Sequence, residues 1–265
     1  MSKKISVLIP TYKPGWYFER CLKSIEEQTL DKKYFKVYIA LNGPKKDYED
    51  LIIGLLKQYS FEYAYFYIAR AGVSNARNLM IESSVEDYIT FVDDDDVLSC
   101  NYLEQLLLKV TPFEISVSNM CLFSQIPEDS HPNYIGKSFT TLNQRETSLF
   151  KTRKFFSSPC AKLVHRGLIA DHRFNTKLKI GEDSLFMAEI SKRVRAVNKT
   201  DLSACYYVYV REGSASRSKI EPIDEFKRLS YLIILYSGML FKGYNIPFIL
   251  SRIVASMKHF KRVFK

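Results

Sequence analysis

The sequence predicts an α/β protein with a mostly parallel central sheet flanked by helices and a C-terminal helical appendage. Through residue 110, β-prone apolar runs alternate with helical patterns, which is typical of βαβ units. The predicted strands end in polar or glycine-containing segments, as expected where parallel strands emerge at one edge of a sheet. Residues 226–265 instead combine apolar helical spacing with eight Lys or Arg and no acid.

The first half of the chain supplies the strands and helices of this sheet. Strands are predicted at residues 6–9, 36–41, 63–68 and 88–92, because each is a short run rich in β-branched and aromatic residues. Helical spacing of apolar residues predicts helices around residues 18–25, 51–56 and 73–84. The four strand ends are therefore expected to line one crevice.

The second half is less regular. Residues 115–123 and 204–210 predict further strands, whereas residues 124–148 predict a flexible loop because they are polar and contain two prolines. A Ser/Arg-rich loop is predicted at residues 211–219.

Composition limits the class of protein. The 265 residues are 46% hydrophobic and 26% charged, which is typical of a soluble globular protein. Five cysteines have no metal-type spacing and are odd in number, so we expect free thiols in the cytoplasm. No dinucleotide, P-loop or α/β-hydrolase motif is present.

Four consecutive acids, Asp93, Asp94, Asp95 and Asp96, follow the predicted strand at residues 88–92. Adjacent like charges repel one another, so this placement favours a bound cation, and carboxylates are the ligands of Mg²⁺ or Mn²⁺. The alternative is a solvated acidic turn or the acidic start of a helix.

Two later segments could complete a site. Gly72 and small residues begin a predicted helix, with Arg77 one turn inside, and this arrangement suits an anionic phosphate. Asp183 could take a proton from a hydroxyl nucleophile. Each has a structural alternative, since Arg77 could face solvent and Asp183 could simply favour the start of its helix.

Five segments in this order resemble the family 2 glycosyltransferases, which have a GT-A fold: residues 6–12, 42–43, 72–78, 91–96 and 181–183. The resemblance covers roughly residues 5–215 and implies a catalytic domain at residues 1–220. Residues 1–110 would be its nucleotide-binding half and residues 111–220 its acceptor-binding half, followed by a basic amphipathic tail at residues 221–265.

The resemblance also implies roles for single residues. Asp183 would be the catalytic base, while Asp93 and Asp95 would bind Mn²⁺ or Mg²⁺. Asn42 departs from the family's commoner Asp, and Arg70 stands where Asn is common. The nucleotide-sugar would be bound by Pro10, Thr11, Tyr12, Asn42, Arg77, Asp93 and Asp94.

These residues imply a metal-dependent inverting glycosyltransferase. The donor would be a nucleotide-sugar, with UDP as the expected nucleotide, and the acceptor a saccharide or lipid-linked saccharide of bacterial surface polysaccharide. Two alternatives remain open, a nucleotidyltransferase that makes sugar nucleotides and a non-catalytic protein that binds a membrane surface. The segment after Pro10 is a poor phosphate loop for a nucleotidyltransferase.

The basic tail predicts contact with a membrane surface. Its apolar face is expected to contain Ile246, Ile249, Leu250, Ile253, Met257, Phe260 and Phe264, with Phe248, Val254 and Val263 outside the face. The apolar run at residues 229–241 is too short to span a bilayer. We therefore predict a peripheral protein at the inner face of the plasma membrane, whereas packing of the tail on the catalytic domain or on another subunit is the alternative. Nucleic acid is not expected as a partner, and a homo-oligomer stays open.

Overall fold

A computed structural model describes residues 3–211 and 221–263, with side chains through residue 260. The predicted loop at residues 211–219 therefore lies outside the described residues except for Arg211. In the described part of the chain, eight strands form a large sheet and four form a smaller one.

In the first part of the chain four strands alternate with three α-helices, as the sequence predicted. The elements are β1 (Ile5–Thr11), α1 (Tyr17–Glu26), β2 (Phe35–Asn42), α2 (Tyr48–Leu56), β3 (Glu62–Ile68), α3 (Val73–Ser83) and β4 (Tyr88–Phe91). Strand β1 pairs in parallel with both β2 and β4, and β2 pairs in parallel with β3. Every residue of β1 is buried, because helices cover both faces of a parallel sheet.

The rest of the chain extends the large sheet and adds the smaller one. Its elements are β5 (Val97–Leu98), α4 (Tyr102–Lys109), β6 (Glu114–Val117), β7 (Asn119–Phe123), β8 (His131–Pro132), α5 (Tyr134–Thr140), β9 (Arg145–Glu146), β10 (Lys162–His165), α6 (Arg166–Ile169), α7 (Glu182–Ile190), β11 (Ala196–Lys199), β12 (Cys205–Tyr209), α8 (Pro222–Met239) and α9 (Ile246–Val263). The strand order is β3-β2-β1-β4-β10-β6-β11-β9 in the large sheet and β5-β12-β7-β8 in the small one.

Two sequence predictions, for residues 115–123 and 124–148, are wrong. Residues 115–123 form two strands rather than one, because the chain leaves the large sheet at Val117 and enters the small sheet at Asn119. Ser118 at the crossing donates its amide to the carbonyl of Ala161. Residues 124–148 contain helix α5, whose first amides are capped by the Asn133 side chain.

The C-terminal helices pack on the preceding part of the chain, and the predicted apolar face is partly wrong. Phe248, expected outside the face, is fully buried, and its ring lies 5.2 Å from that of Phe156. Ile249 is also buried, as predicted, whereas Leu250 and Met257 are exposed. The prediction failed because a neighbouring apolar stripe of the same helix, containing Phe248, packs against the rest of the protein. None of the described helices is both long and apolar enough to cross a membrane.

Candidate active site

The carboxyl ends of β1, β2 and β4 meet at one edge of the large sheet, as predicted. The Thr11 hydroxyl donates to Asp94 Oδ2 at 2.5 Å. Asn42 Nδ2 donates to the Thr11 carbonyl at 2.8 Å, and its Oδ1 accepts from the Gly72 amide at 2.9 Å. A buried side-chain amide therefore ties β1, β2 and the start of α3 together.

Tyr12 lies at the mouth of this crevice and is half exposed. Its ring packs against Gly43, where an added Cβ would lie 2.6 Å from the ring and where φ is +118°. Glycine permits both this contact and this backbone conformation. Pro10 is buried within β1 beside Ala40 of β2, so its ring lies in the sheet rather than in the crevice.

The four acids have four different environments. Asp93 points to Arg77, Asp94 accepts from Thr11, and Asp95 Oδ2 lies 2.7 Å from Arg211 Nε. Asp96 is buried and accepts from the Tyr209 amide at 2.9 Å. Since Asp96 supports the β12 backbone, the crevice receives carboxylates from residues 93–95.

Burial and mutual repulsion change the acidity of this cluster. Burial, with the charges of Asp95 and Asp93, raises the pKa of Asp94 to about 7, although the Thr11 hydroxyl opposes the rise. Burial and Asp93 also raise the pKa of Asp95, against the effect of Arg211. A cation near these groups would relieve the repulsion.

Arg77 joins the acid cluster to the second predicted site. It is 3% exposed, donates from Nη1 to Asp183 Oδ1 at 2.7 Å and from Nη2 to Asp93 Oδ1 at 3.0 Å. Its guanidinium also lies over the Phe174 ring, 5.2 Å from the centroid. The solvent-facing alternative for Arg77 is therefore wrong, because its side chain is buried between two carboxylates from distant parts of the chain.

Asp183 lies in the first turn of α7, which follows Gly181 at φ +91°. Burial raises the pKa of Asp183, and Arg77 opposes the rise. The neighbouring Glu182 is buried, whereas Asp183 is partly exposed, and burial with the Asp183 charge raises the pKa of Glu182 to about 7. Two carboxylates thus pair with one guanidinium at this end of the crevice, and a third carboxyl lies beside them in sequence.

Sequence analysis did not identify Arg211, Tyr17 and Tyr206 as site residues. Arg211 Nη1 donates to the Tyr17 hydroxyl at 3.0 Å while its Nε faces Asp95. The Tyr206 hydroxyl accepts from the Asp93 amide at 3.0 Å. Tyr206 lies in β12, Arg211 follows that strand and Tyr17 begins α1. The pairing of β12 with β5, next to the acids, brings Tyr206 and Arg211 here.

The donor set suits a hard divalent ion that also binds phosphate. Within residues 3–211 and 221–263, no three His, Cys, Asp or Glu side chains converge as a ready-made metal site. Mg²⁺ and Mn²⁺ are commonly held by one or two carboxylates together with substrate phosphates. Asp93 and Asp95 offer that smaller set on one strand-end turn.

Curated relatives match most of this chain. It is 28% identical over 227 residues to "Glycosyltransferase GlyA" of Streptococcus pneumoniae, which covers 81% of this chain and 32% of GlyA. It is 21% identical to "Poly(ribitol-phosphate) beta-N-acetylglucosaminyltransferase TarS" of Staphylococcus aureus, over 87% of this chain and 40% of TarS. A Campylobacter jejuni "GalNAc(5)-diNAcBac-PP-undecaprenol beta-1,3-glucosyltransferase" is 23% identical over 69% of this chain and 59% of that protein. The chain thus spans about a third to two fifths of the GlyA and TarS lengths.

Solved structures share the fold. Residues 1–349 of S. aureus TarS superpose with a TM-score of 0.76 at 19% identity, over 98% of this chain and 73% of that one. The same fragment with UDP-GlcNAc gives 0.72 at 20% identity, over 88% and 66%. The mannosyltransferase PcManGT from Pyrobaculum calidifontis, with GDP-Man and Mn²⁺, gives 0.65 at 14% identity, over 98% and 70%.

The family model described as "Glycosyl transferase family 2" matches residues 6–173. That span contains the crevice residues from Thr11 to Asp95 and ends before Asp183. Because the model covers well over half of the sequence, the resemblance and the GT-A fold predicted from it are confirmed: the chain belongs to glycosyl transferase family 2.

Proposed function

We propose that this protein is a metal-dependent inverting glycosyltransferase that uses a UDP-sugar donor. The single observation that supports this most is the position of Arg77, which holds Asp93 and Asp183 on its two terminal nitrogens. The carboxylate that would hold the metal and the carboxylate that would accept the proton are thereby fixed relative to each other, as a displacement at a sugar carbon requires.

Asp183 would act as the general base. Its raised pKa and its place beside the acid cluster fit a carboxylate that takes the proton of an acceptor hydroxyl. The hydroxyl oxygen would bond to the anomeric carbon as the bond from that carbon to the diphosphate oxygen breaks. Attack opposite to the leaving group inverts the anomeric centre.

Asp93 and Asp95 would hold Mn²⁺ or Mg²⁺. When bound, the ion would supply charge neutralisation for the departing diphosphate. Arg211 Nε lies 2.7 Å from Asp95 Oδ2. Its guanidinium would therefore be close enough to the diphosphate oxygens to stabilise their negative charge as well. PcManGT, which shares the fold, has been solved with Mn²⁺.

The donor would lie along the β1 and β2 ends. Tyr12 offers an exposed ring for the base, while Thr11, Asn42 and Asp94 form the polar wall behind it. Pro10 would act only by shaping β1. UDP is the proposed nucleotide, in keeping with the TarS structure that contains UDP-GlcNAc.

The acceptor would be a saccharide or a lipid-linked saccharide of a cell-surface polymer. Relatives named for poly(ribitol-phosphate) and for an undecaprenol-linked saccharide support this class. We place the enzyme in the cytoplasm at the inner face of the plasma membrane. Ile246, Leu250, Val254 and Met257 lie exposed along one stripe of α9 and would contact the lipid.

Donor turnover tests the proposal. UDP-glucose, UDP-galactose and their N-acetylated forms should be incubated with the protein and Mn²⁺, and UDP release measured. We expect release with at least one sugar, loss of release with EDTA, and recovery with Mn²⁺. Pyrophosphate-dependent formation of UTP would instead support a nucleotidyltransferase, and binding without any turnover would support a non-catalytic protein.

A further inference from the structure

The chain has one tryptophan, Trp16, and it is 67% exposed immediately before α1. Its ring makes edge contacts with Tyr17 and Tyr209, at centroid distances of 6.3 and 5.8 Å. A large apolar ring that stays in water while its edges are held in place is a feature of binding surfaces.

Arg20, one turn further along α1, fixes the indole from one side. Its guanidinium carbon lies 4.9 Å from the centroid of the Trp16 ring and 4.6 Å from the centroids of the Phe123 and Tyr209 rings. Nη1 donates to the Gln125 carbonyl at 3.3 Å. The guanidinium covers one face of the indole, so the exposed area belongs mainly to the other.

This arrangement costs stability. Arg20 Nε and Nη2 are buried without a hydrogen-bond partner among the described residues. Buried polar atoms without partners are unfavourable, although the aromatic rings compensate in part. The cluster thus holds an open indole face in place while two buried donors stay unsatisfied.

Trp16 is continuous with the candidate active site. Tyr17 accepts from Arg211 Nη1 at 3.0 Å, and Arg211 Nε lies 2.7 Å from Asp95. On the other side, the Tyr209 amide donates to the Asp96 carboxylate. Trp16 therefore borders the acid cluster on the side of the small sheet. Asn42, at the end of β2, and Gly72, just before α3, border the crevice elsewhere.

We propose that Trp16 is the platform on which a pyranose ring of the acceptor saccharide stacks. A sugar ring presents C–H groups on its faces and hydroxyls around its rim, so an open indole face can bury the C–H groups while water and polar neighbours solvate the rim. This inference rests on the proposed transferase function and specifies one acceptor subsite of it.

Fluorescence tests the contact directly, because all tryptophan emission comes from Trp16. The protein, saturated with UDP and Mn²⁺, should be titrated with cellotriose, chitotriose and maltotriose. We expect a saturable change in emission with at least one of them. No change with any of the three would overturn the inference.

Kinetics supply the second measurement. With the trisaccharide that accepts sugar fastest, Trp16→Ala should raise the acceptor KM about tenfold, well beyond any change in the donor KM. Trp16→Phe should fall between. Phe113→Ala, which removes a half-exposed ring at the opposite edge of the large sheet, is the matched control and should leave both constants unchanged.

The two failures can be told apart. An acceptor KM in Trp16→Ala within twofold of the wild type, with wild-type UDP release intact, overturns the subsite alone. Saturable sugar binding at Trp16 in a protein that releases UDP from no UDP-sugar contradicts the proposed function while supporting the subsite.

Discussion

Arg77 Nη1 lies 2.7 Å from Asp183 Oδ1, although the two residues are 106 positions apart in the chain. The same guanidinium lies 3.0 Å from Asp93 Oδ1. A planar fork with two partners fixes their relative orientation, which a single flexible ammonium does not. Arg77 thus links the proposed metal ligand to the proposed base.

Replacing the Arg77 guanidinium by an ammonium keeps the positive charge but removes the two-pronged geometry. The variant should therefore separate the effect of positioning Asp93 and Asp183 from the effect of charge. We expect Arg77→Lys to fold but to lower kcat by about 10- to 100-fold, because small displacements of reacting groups are costly. Arg173→Lys, at a more exposed ion pair with Glu82, is the control and should leave kcat unchanged. Wild-type kcat in Arg77→Lys would show that the double ion pair has no catalytic consequence.

Removing the proposed base should lower turnover without removing the donor. Asp183→Asn keeps the shape of the side chain but cannot accept the proton, so kcat should fall by about 10² to 10⁴. The UDP dissociation constant, measured by calorimetry, should change less than threefold. Glu182→Gln, one residue earlier, should retain most of kcat; the reverse ranking of the two variants would move the base to Glu182.

The Asn42 amide should be essential for the local fold. In Asn42→Asp one oxygen can still accept from Gly72, but the other would face the Thr11 carbonyl and lose its hydrogen bond. We expect a loss of about 1 to 3 kcal/mol in the free energy of unfolding. Chemical denaturation at pH 7 measures it, and an unchanged midpoint and slope would contradict the role.

Much of the fold follows from local pattern. The runs around residues 36–41 and 63–68 carry strong β signals bounded by polar turns, and they form β2 and β3. The crossing at Ser118 could not be predicted, because residues 115–123 are apolar or small almost throughout and the break depends on pairing with strands distant in sequence, β11 on one side and β12 on the other. Phe248 was misplaced for a similar reason, since two stripes of α9 are apolar.

The site was predicted less completely than the fold. Motif order predicted roles for Asp93, Asp95 and Asp183, but the connection of Asp93 to Asp183 through Arg77 depends on how α3 and α7 approach each other. Arg211 carries no motif of its own and becomes part of the site only through the pairing of β12 with β5.

Glu189 on α7 should make stability depend on pH. Burial raises the pKa of this carboxyl from 4.5 to about 7. The folded protein then binds more protons than the unfolded chain between those values, so the free energy of unfolding falls as pH rises through this range and stays lower above it. Glu189→Gln removes the titrating group and so this loss. The unfolding free energy of the variant minus that of the wild type should therefore be about 1 to 3 kcal/mol larger at pH 8 than at pH 4.5. Glu27→Gln, at an exposed ion pair, is the control; an equal effect of both variants would contradict the prediction.

The exposed stripe of α9 should determine lipid binding. Leu250→Ser with Met257→Ser removes apolar surface without touching the buried Phe248 and Ile249, so the fold should persist. We expect the double variant to sediment less with liposomes containing anionic lipid than the wild type does. Val85→Ser, at an exposed site before β4, is the control, and equal sedimentation of all three proteins would exclude this stripe.

Calorimetric titration of UDP with and without Mn²⁺ tests the central claim most directly, using the wild type and Asp95→Asn. We expect Mn²⁺ to tighten UDP binding to the wild type at least tenfold, and the gain to be lost in Asp95→Asn because one of the two proposed metal-binding carboxylates is gone. Equal UDP affinity of the wild type with and without Mn²⁺, or an undiminished gain in Asp95→Asn, would contradict a dication held at Asp93 and Asp95.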